Sequence, residues 1–240
     1  MAMINLRRRA EEAEILDGPL EADADLAGNL RDLARINRWT GSAFLVQRGV
    51  RHLLERLSGA SFSVLDVGGG GGDGVIRTVC WAERHHLAAR GILLDSSAPI
   101  LQVARARRHP GMVLLRGDAC RLPLGDRSVD IVTCSLLLHH FSATQATTVL
   151  QEMARVARLG VVVDDLLRSH VGYWGALALG RLLTTNRLTR HDGPLSVRRA
   201  FRQHELATLV QRTRLQLVWR GTVPGYRSVV AARAIDAAPL

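Results

Sequence analysis

Five consecutive glycines, Gly68–Gly72, form the segment whose composition has the most direct chemical consequence. They follow the short apolar run 62–67 and precede a segment of helical character, which predicts a turn between a buried strand and a helix. Glycines let the backbone turn tightly and approach a ligand closely, and the first N–H groups of the helix are free to bind it. The residues that we expect to form this binding loop are Asp66, Gly68, Gly69 and Gly70.

The glycine run alone does not identify its ligand. Gly69, Gly71 and Gly74 fit G-x-G-x-x-G, the pattern of dinucleotide-binding turns, but five glycines satisfy several patterns at once. Asp95 ends the next predicted strand, where a carboxylate can accept hydrogen bonds from both hydroxyls of a ribose. Because several cofactors carry a ribose, Asp95 indicates a nucleoside without naming it. A glycine turn without a ligand is disfavoured, since so many glycines destabilise a turn that does not need them.

Histidines supply the candidate catalytic groups. A histidine has an ordinary pKa of about 6.5 and can act as a general base at neutral pH. His139 and His140 follow the predicted strand 129–134, at the sheet edge where ligands bind; they could instead only shape the pocket or cap the next helix. His191 beside Asp192 is a third candidate, with a polar turn before Gly193 as the alternative. We expect no metal site, because Cys80, Cys120 and Cys134 are far apart and form no Cys/His cluster.

The composition excludes several chemistries. The chain has 240 residues and a formal net charge of +10, yet all 32 of its Lys and Arg residues are Arg. Without lysine there is no Walker A phosphate loop, no lysine Schiff base and no Tyr-x-x-x-Lys dehydrogenase. The favoured explanation of the charge is a compositional bias toward arginine, with the side chains on solvated helix faces. The alternative is a functional surface for nucleic acid or anionic lipid.

The order of elements predicts an α/β fold. Residues 1–60 have helical periodicity, with a break at Asp17-Gly18-Pro19, and should form an N-terminal helical cap, and 61–240 should form the main domain. From Ser61 onward short apolar strands alternate with helices, which indicates a parallel sheet. A helical insert is expected at about 166–195, then a helix from Ser196 to about Arg212, and a closing pair of strands, 215–220 and 226–232.

Two segments then resemble a known family. Residues 116–132, which read RGDACRLPLGDRSVDIV, resemble the "G-D-A…L-P…D…S-[FV]-D" segment of class I S-adenosylmethionine (SAM) dependent methyltransferases, and Asp66–Gly72 fits their D-x-G-x-G-x-G motif. The stretch SLLLHHF at 135–141 resembles the same region of small-molecule enzymes of ubiquinone and menaquinone biosynthesis, and other stretches resemble methyltransferases of phenolic lipids and polyketides. The resemblance implies a Rossmann-like, seven-stranded, mostly parallel sheet with helices on both faces.

The resemblance also implies a cofactor and its site. SAM would be the methyl donor and S-adenosylhomocysteine the product. Asp118 would bond the adenine amino group, and the backbone N–H of Ala119 would donate a hydrogen bond to the adenine ring. The residues predicted to bind the cofactor are therefore Asp66, Gly68, Gly69, Gly70, Asp95, Ser96, Asp118, Ala119 and Ser135.

The predicted function is methyl transfer to a small phenolic, quinol or polyketide-like acceptor of secondary metabolism. O-methylation is favoured, with C-methylation nearly equal. The alternatives are an RNA or protein methyltransferase, a non-catalytic SAM-binding protein and a nicotinamide oxidoreductase. Nucleic acid is disfavoured, because no N/D-P-P-Y segment follows the strand 129–134 and no RNA-binding module is visible. No apolar run reaches the roughly 18–20 residues of a membrane span, so we expect a cytoplasmic protein; homodimer formation is left open.

Overall fold

Seven strands form one sheet in the order β3-β2-β1-β4-β5-β7-β6, in which β7 is antiparallel to the other six. The computed structural model describes residues 4–55, 57, 59–107, 109–213 and 215–235. This confirms the predicted Rossmann-like, mostly parallel sheet and its closing hairpin. The strands are β1 (Ser61–Val67), β2 (Ala88–Asp95), β3 (Met112–Arg116), β4 (Val129–Ser135), β5 (Ala157–Leu166), β6 (Leu215–Val223) and β7 (Arg227–Ala234).

Helices cover both faces of this sheet. Because successive side chains of a strand point to opposite faces, Leu65 and Val67 join one core cluster, which includes α5 and α8, while Val64 joins the other, which includes α2 and α3. The helices are α1 (Ala24–Trp39), α2 (Ser42–Leu54), α3 (Asp73–Arg84), α4 (Ala98–Arg105), α5 (Ala143–Val156), α6 (His170–Leu183), α7 (Arg187–Arg199) and α8 (Gln203–Gln211). Within the described residues, no helix is both long and apolar enough to cross a membrane.

The sheet order places a crevice beside the glycine loop. From β1 the chain proceeds to β2 and β3 on one side, then returns to β4 on the other side of β1. At such a switch point the loops that leave the carboxyl ends of the strands diverge and leave room for a ligand. Asp95 ends β2 and Ser135 ends β4, so both lie at this edge.

The N-terminal segment is less helical than the periodicity of residues 1–60 predicts. Residues 4–14 are not helical, and a short 3-10 turn, Ile15–Asp17, precedes α1. The segment is rich in charged residues and lacks an apolar stripe, so its backbone bonds other elements instead; the Ala10 N–H donates to the Arg198 carbonyl over 3.1 Å. Helix α2 packs against β5 and β7 through the core cluster that includes Val50 and Leu53. The boundary of a separate cap at residue 60 stays a prediction.

The helix expected from Ser196 to about Arg212 is wrong. Ser196 lies inside α7, which begins after Asn186, whose side chain accepts a hydrogen bond from the Thr189 N–H. Pro194 is accommodated within that helix, although Gly193-Pro194 has the composition of a break. The chain is extended at Ala200, and α8 starts afresh at Gln203.

A buried ion pair ties the antiparallel strand to the sheet. Arg227, at the start of β7, has no exposed surface, and its guanidinium donates to both carboxylate oxygens of Asp164 over 2.9 and 2.6 Å. Its third contact, 2.9 Å to the side-chain oxygen of Asn37, reaches α1. One side chain therefore joins β5, β7 and α1, and Asp164 itself borders the cavity described below.

We expect Arg227→Met to lower the free energy of unfolding by about 3–5 kcal/mol, because it leaves the Asp164 carboxylate buried without its cation. The measurement is urea unfolding followed by circular dichroism. The double variant Asp164→Asn/Arg227→Met removes both charges and should recover part of that loss. Equal losses in the single and the double variant would show that the stabilisation does not come from the pairing.

Candidate functional site

A cavity of about 850 Å³ opens at the carboxyl ends of β1, β2 and β4. Its volume is at the upper end of the range for small-molecule sites, which is enough for a nucleoside and a second small molecule together. Helices α1, α6 and α7 close its other side through residues such as Leu33, Leu179 and Ser196.

The glycine loop borders this cavity, and at two positions an added side chain would have to displace a neighbouring leucine. Gly68, Gly70 and Gly72 have φ angles of +63°, +55° and +81°, a backbone region that L residues rarely adopt. At Gly69 a Cβ atom would lie 2.1 Å from Leu93 Cδ1, and at Gly68 one would lie 2.5 Å from Leu137 Cδ1. The loop is therefore fixed both by its backbone angles and by the side chains packed against it.

Asp66, near the end of β1, supports the loop through its side chain. Its carboxylate accepts a hydrogen bond from the Thr133 hydroxyl over 2.8 Å, and a Cβ atom at Gly74 would lie 2.6 Å from its Oδ2. Burial raises the pKa of Asp66 to about 6. Its contacts join β1 to β4 and to the first turn of α3, so the geometry gives it a supporting position at the cavity wall.

Asp95 links the loop to β2. Its Oδ2 accepts from the Gly70 N–H over 3.2 Å and its Oδ1 from the Ser97 N–H over 2.9 Å, while burial raises its pKa. Every residue that the sequence placed in the cofactor site borders the one cavity: Asp66, Gly68, Gly69, Gly70, Asp95, Ser96, Asp118, Ala119 and Ser135. Their individual roles in binding stay predictions.

His139 and His140 also border the cavity, in a 3-10 turn after β4. The Nδ1 atom of His139 lies 2.6 Å from Asp165 Oδ1, and that of His140 lies 2.6 Å from Asp17 Oδ1. The two rings lie 4.3 Å apart between centroids. A carboxylate that accepts a hydrogen bond from Nδ1–H leaves the lone pair on Nε2, so both histidines are prepared to accept a proton or bind an electrophile through Nε2.

The carboxylates beside the histidines were not identified from the sequence. Asp165 is buried, which opposes its charge, but the adjacent His139 holds the pKa of that carboxyl below its usual range. Asp17 lies in the 3-10 turn before α1, where the sequence suggested only a helix break. Asp165 could have been placed at the site from the sequence, since it stands at the end of an apolar run. No sequence pattern places Asp17 there, because it is 123 positions from His140.

Glu14 and Arg199 complete this group. The Glu14 carboxylate is buried, with its oxygens 3.6 Å from His139 Nε2 and 3.9 Å from His140 Nε2, and burial raises its pKa to about 7. Arg199 donates to the carbonyls of His139 and His140 over 3.3 and 2.9 Å and pairs with Asp17. The strap of residues 4–14 and α7 thereby position the histidine turn.

His191 lies apart from this group. Its side chain is 55% exposed, its Nδ1 lies 2.8 Å from Asp192 Oδ1, and it is not among the residues that line the cavity. Asp192 is buried and accepts from the backbone N–H groups of Ile15 and Leu16 over 2.9 and 3.1 Å. The geometry thus gives Asp192 the task of holding the 3-10 turn, and the exposed position of His191 outside the cavity lining gives no support to a catalytic role.

Comparisons with known proteins agree with this architecture. Residues 64–160 match the family model described as "Methyltransferase domain". The demethylmenaquinone methyltransferase of Roseiflexus sp. (strain RS-1) is 30% identical over 103 residues, which are 42% of this chain and 41% of that protein. The malonyl-[acyl-carrier protein] O-methyltransferase of Xylella fastidiosa (strain M23) is 31% identical over 142 residues, 58% of this chain and 39% of that protein.

A solved structure extends the likeness to the fold. The crystal structure of a SAM dependent methyltransferase from Aquifex aeolicus superposes with a TM-score of 0.55 at 17% identity, over 72% of this chain and 82% of the other. The chain spans about two fifths of the length of the curated relatives named above. Residues 64–160 therefore match a methyltransferase domain, and the sheet order with the glycine loop at its switch point agrees with the fold of the SAM dependent methyltransferase from Aquifex aeolicus.

Proposed function

We propose that this chain transfers the methyl group of SAM to a small acceptor bound at the histidine end of the cavity. The observation that carries the proposal is that the glycine loop with Asp95 and the pair His139–His140 border the same cavity. The names of the relatives support a small acceptor, since one methylates demethylmenaquinone and the other a malonyl group on acyl-carrier protein. Neither of these names indicates an RNA acceptor.

The loop end of the cavity suits a nucleoside. The Gly68–Gly71 backbone leaves room for close approach, and Asp95 lies where its carboxylate can accept hydrogen bonds from ribose hydroxyls. Asp118 and Ala119 lie beyond the end of β3 and border the same space, where the adenine would be held. When bound, SAM supplies an electrophilic methyl group on a good leaving group, so the protein must chiefly align the partners and exclude water.

The histidine end suits an acceptor that must lose a proton. The pKa of a phenol is about 10, so its oxygen is a weak nucleophile at neutral pH unless a base removes the proton. The side chain of His140 is 21% exposed and that of His139 only 2%, so His140 is the one that an acceptor can reach. We assign His140 the proton-accepting position, and His139 with Asp165 the task of orienting it. This favours O-methylation of a phenol or quinol.

We expect Asp95→Asn to raise the dissociation constant of S-adenosylhomocysteine about tenfold, because it removes a charged acceptor worth about 1.4 kcal/mol from the ribose site. Isothermal titration calorimetry measures this directly. The matched control is Asp126→Asn, since the Asp126 side chain is 76% exposed and pairs with Arg155 away from the cavity. Equal affinities in the Asp95→Asn variant and the unaltered protein would contradict the proposed ribose contact.

For the acceptor end, we expect His140→Gln to lower kcat at least about 100-fold, the usual contribution of a general base, and to leave the affinity for S-adenosylhomocysteine unchanged. The assay follows methylation of a panel of phenols and hydroquinones with labelled SAM. His191→Gln changes a solvent-exposed histidine and should retain full activity. A chain that binds SAM but methylates no acceptor in the panel would instead support the non-catalytic alternative.

A further inference from the structure

We propose that Glu14, His139 and His140 bind one divalent transition-metal ion beside the acceptor end of the cavity, which the two histidines border and Glu14 approaches from the buried side. One carboxylate oxygen and one ring nitrogen from each histidine all lie within 4.8 Å of one another. The ion's role in catalysis rests on the methyl transfer proposed above, but its binding does not.

The spacing of these atoms suits an ion better than hydrogen bonds. Glu14 Oε1 lies 3.6 Å from His139 Nε2, and Oε2 lies 3.9 Å from His140 Nε2. Hydrogen bonds between such groups are about 2.7–3.2 Å long, so neither contact is one. Ligand atoms held about 2.1 Å from a common ion lie about 3–3.5 Å apart, which the side chains reach with small rotations.

Both histidines are oriented as metal ligands usually are. A metal-bound histidine donates its other ring N–H to a carboxylate or carbonyl, which fixes the ring and its tautomer. Here His139 has Asp165 at 2.6 Å from Nδ1, and His140 has Asp17 at 2.6 Å from Nδ1. Two separate carboxylates thus leave both Nε2 lone pairs directed to the side of Glu14.

An unpartnered oxygen points to the missing ligand. The Glu14 side chain is 2% exposed, yet its Oε1 has no hydrogen-bond partner among the described residues. The Arg199 guanidinium is 3.8 Å from that oxygen, too far for a hydrogen bond. A buried carboxylate oxygen without a partner is costly, and a cation between it and the two imidazoles would satisfy it.

The charges around the group favour a cation. Three carboxylates, those of Glu14, Asp17 and Asp165, contact the two histidines. Two guanidiniums face the same turn: Arg199, and Arg9, which donates to the His139 carbonyl over 3.1 Å. The carboxylates exceed the guanidiniums by one charge, so the group attracts a cation. Two imidazoles and one carboxylate suit Zn²⁺, Mn²⁺, Fe²⁺, Co²⁺ or Ni²⁺ better than Mg²⁺ or Ca²⁺.

Such an ion would act on the acceptor oxygen. With its lone pair on the ion, His140 would no longer take the proton; the ion would bind the acceptor hydroxyl and lower its pKa, so that the proton leaves to water. The oxygen then forms the bond to the methyl carbon while the carbon–sulfur bond breaks. The electron pair of the broken carbon–sulfur bond stays on sulfur, which gives S-adenosylhomocysteine.

The test begins with the chelator-treated full chain, titrated with Zn²⁺ by calorimetry and with Co²⁺ by visible absorption. We expect one equivalent to bind with a submicromolar dissociation constant and with absorption bands typical of Co²⁺ held by nitrogen and oxygen ligands. Glu14→Gln and His140→Gln should each weaken binding at least tenfold. Circular dichroism establishes that each variant is folded before it is titrated.

The control variant addresses the other group of metal-ligating side chains that the structure brings together, Cys80, Glu83 and His109. Cys80→Ser should leave the binding constant unchanged. If Cys80→Ser abolishes binding, or if the unaltered chain gives neither heat nor Co²⁺ absorption, the proposed site is wrong.

Activity separates this inference from the proposed function. If the metal site is right, chelation lowers methyl transfer at least tenfold and Zn²⁺ or Mn²⁺ restores it. Methyl transfer that is unaffected by chelation, in a chain that binds no ion, overturns the metal site and leaves the proposed function intact. Ion binding that Glu14→Gln abolishes, in a chain that methylates no acceptor, supports the site and overturns the function.

Discussion

The turn between β1 and α3 combines positive φ angles with close packing at Gly68 and Gly69, and the cavity beside it depends on that conformation. Gly69 passes so close to Leu93 that a methyl group would overlap it, while Gly68 and Gly70 need positive φ angles. A side chain at either kind of position would move the loop, and with it the N–H of Gly70 that holds Asp95. The position of the Asp95 carboxylate, which we propose to bind the ribose, therefore depends on the conformation of the neighbouring glycine turn.

The two ends of the cavity are built in different ways. At the loop end, each polar group follows its own strand, so the order of β1, β2, β3 and β4 in the sheet is enough to bring them together. At the histidine end, the turn after β4 is held by side chains from remote elements. Arg199 comes from α7, Asp17 from the 3-10 turn before α1 and Asp165 from the end of β5. Packing of the N-terminal strap against α7 is therefore a precondition for the histidine geometry.

This difference explains how far the sequence could predict the structure. Local signals were sufficient for the sheet, because apolar runs that end in glycine or aspartate mark parallel strands, and Asp95 could be placed from its strand alone. Asp17 and Glu14 could not be placed in this way, since their contacts to the histidines cross more than 120 positions of chain. The sequence favours a break at Gly193-Pro194, because these residues are typical of turns, whereas α7 continues through Pro194 and ends at Arg199.

The difference between the two ends of the cavity also limits what the similarity to the relatives indicates about this chain. The family match covers residues 64–160, which contain the glycine loop, Asp95, Asp118 and the two histidines. The groups that orient the histidines, including Asp17, Asp165 and Arg199, lie outside it. The matched segment contains the residues predicted to bind the cofactor. This explains why two relatives whose names give different acceptors are similarly identical to this chain. Helices α6 and α7 and the 3-10 turn that contains Asp17 also border the cavity, so this part of the cavity wall lies outside the family match.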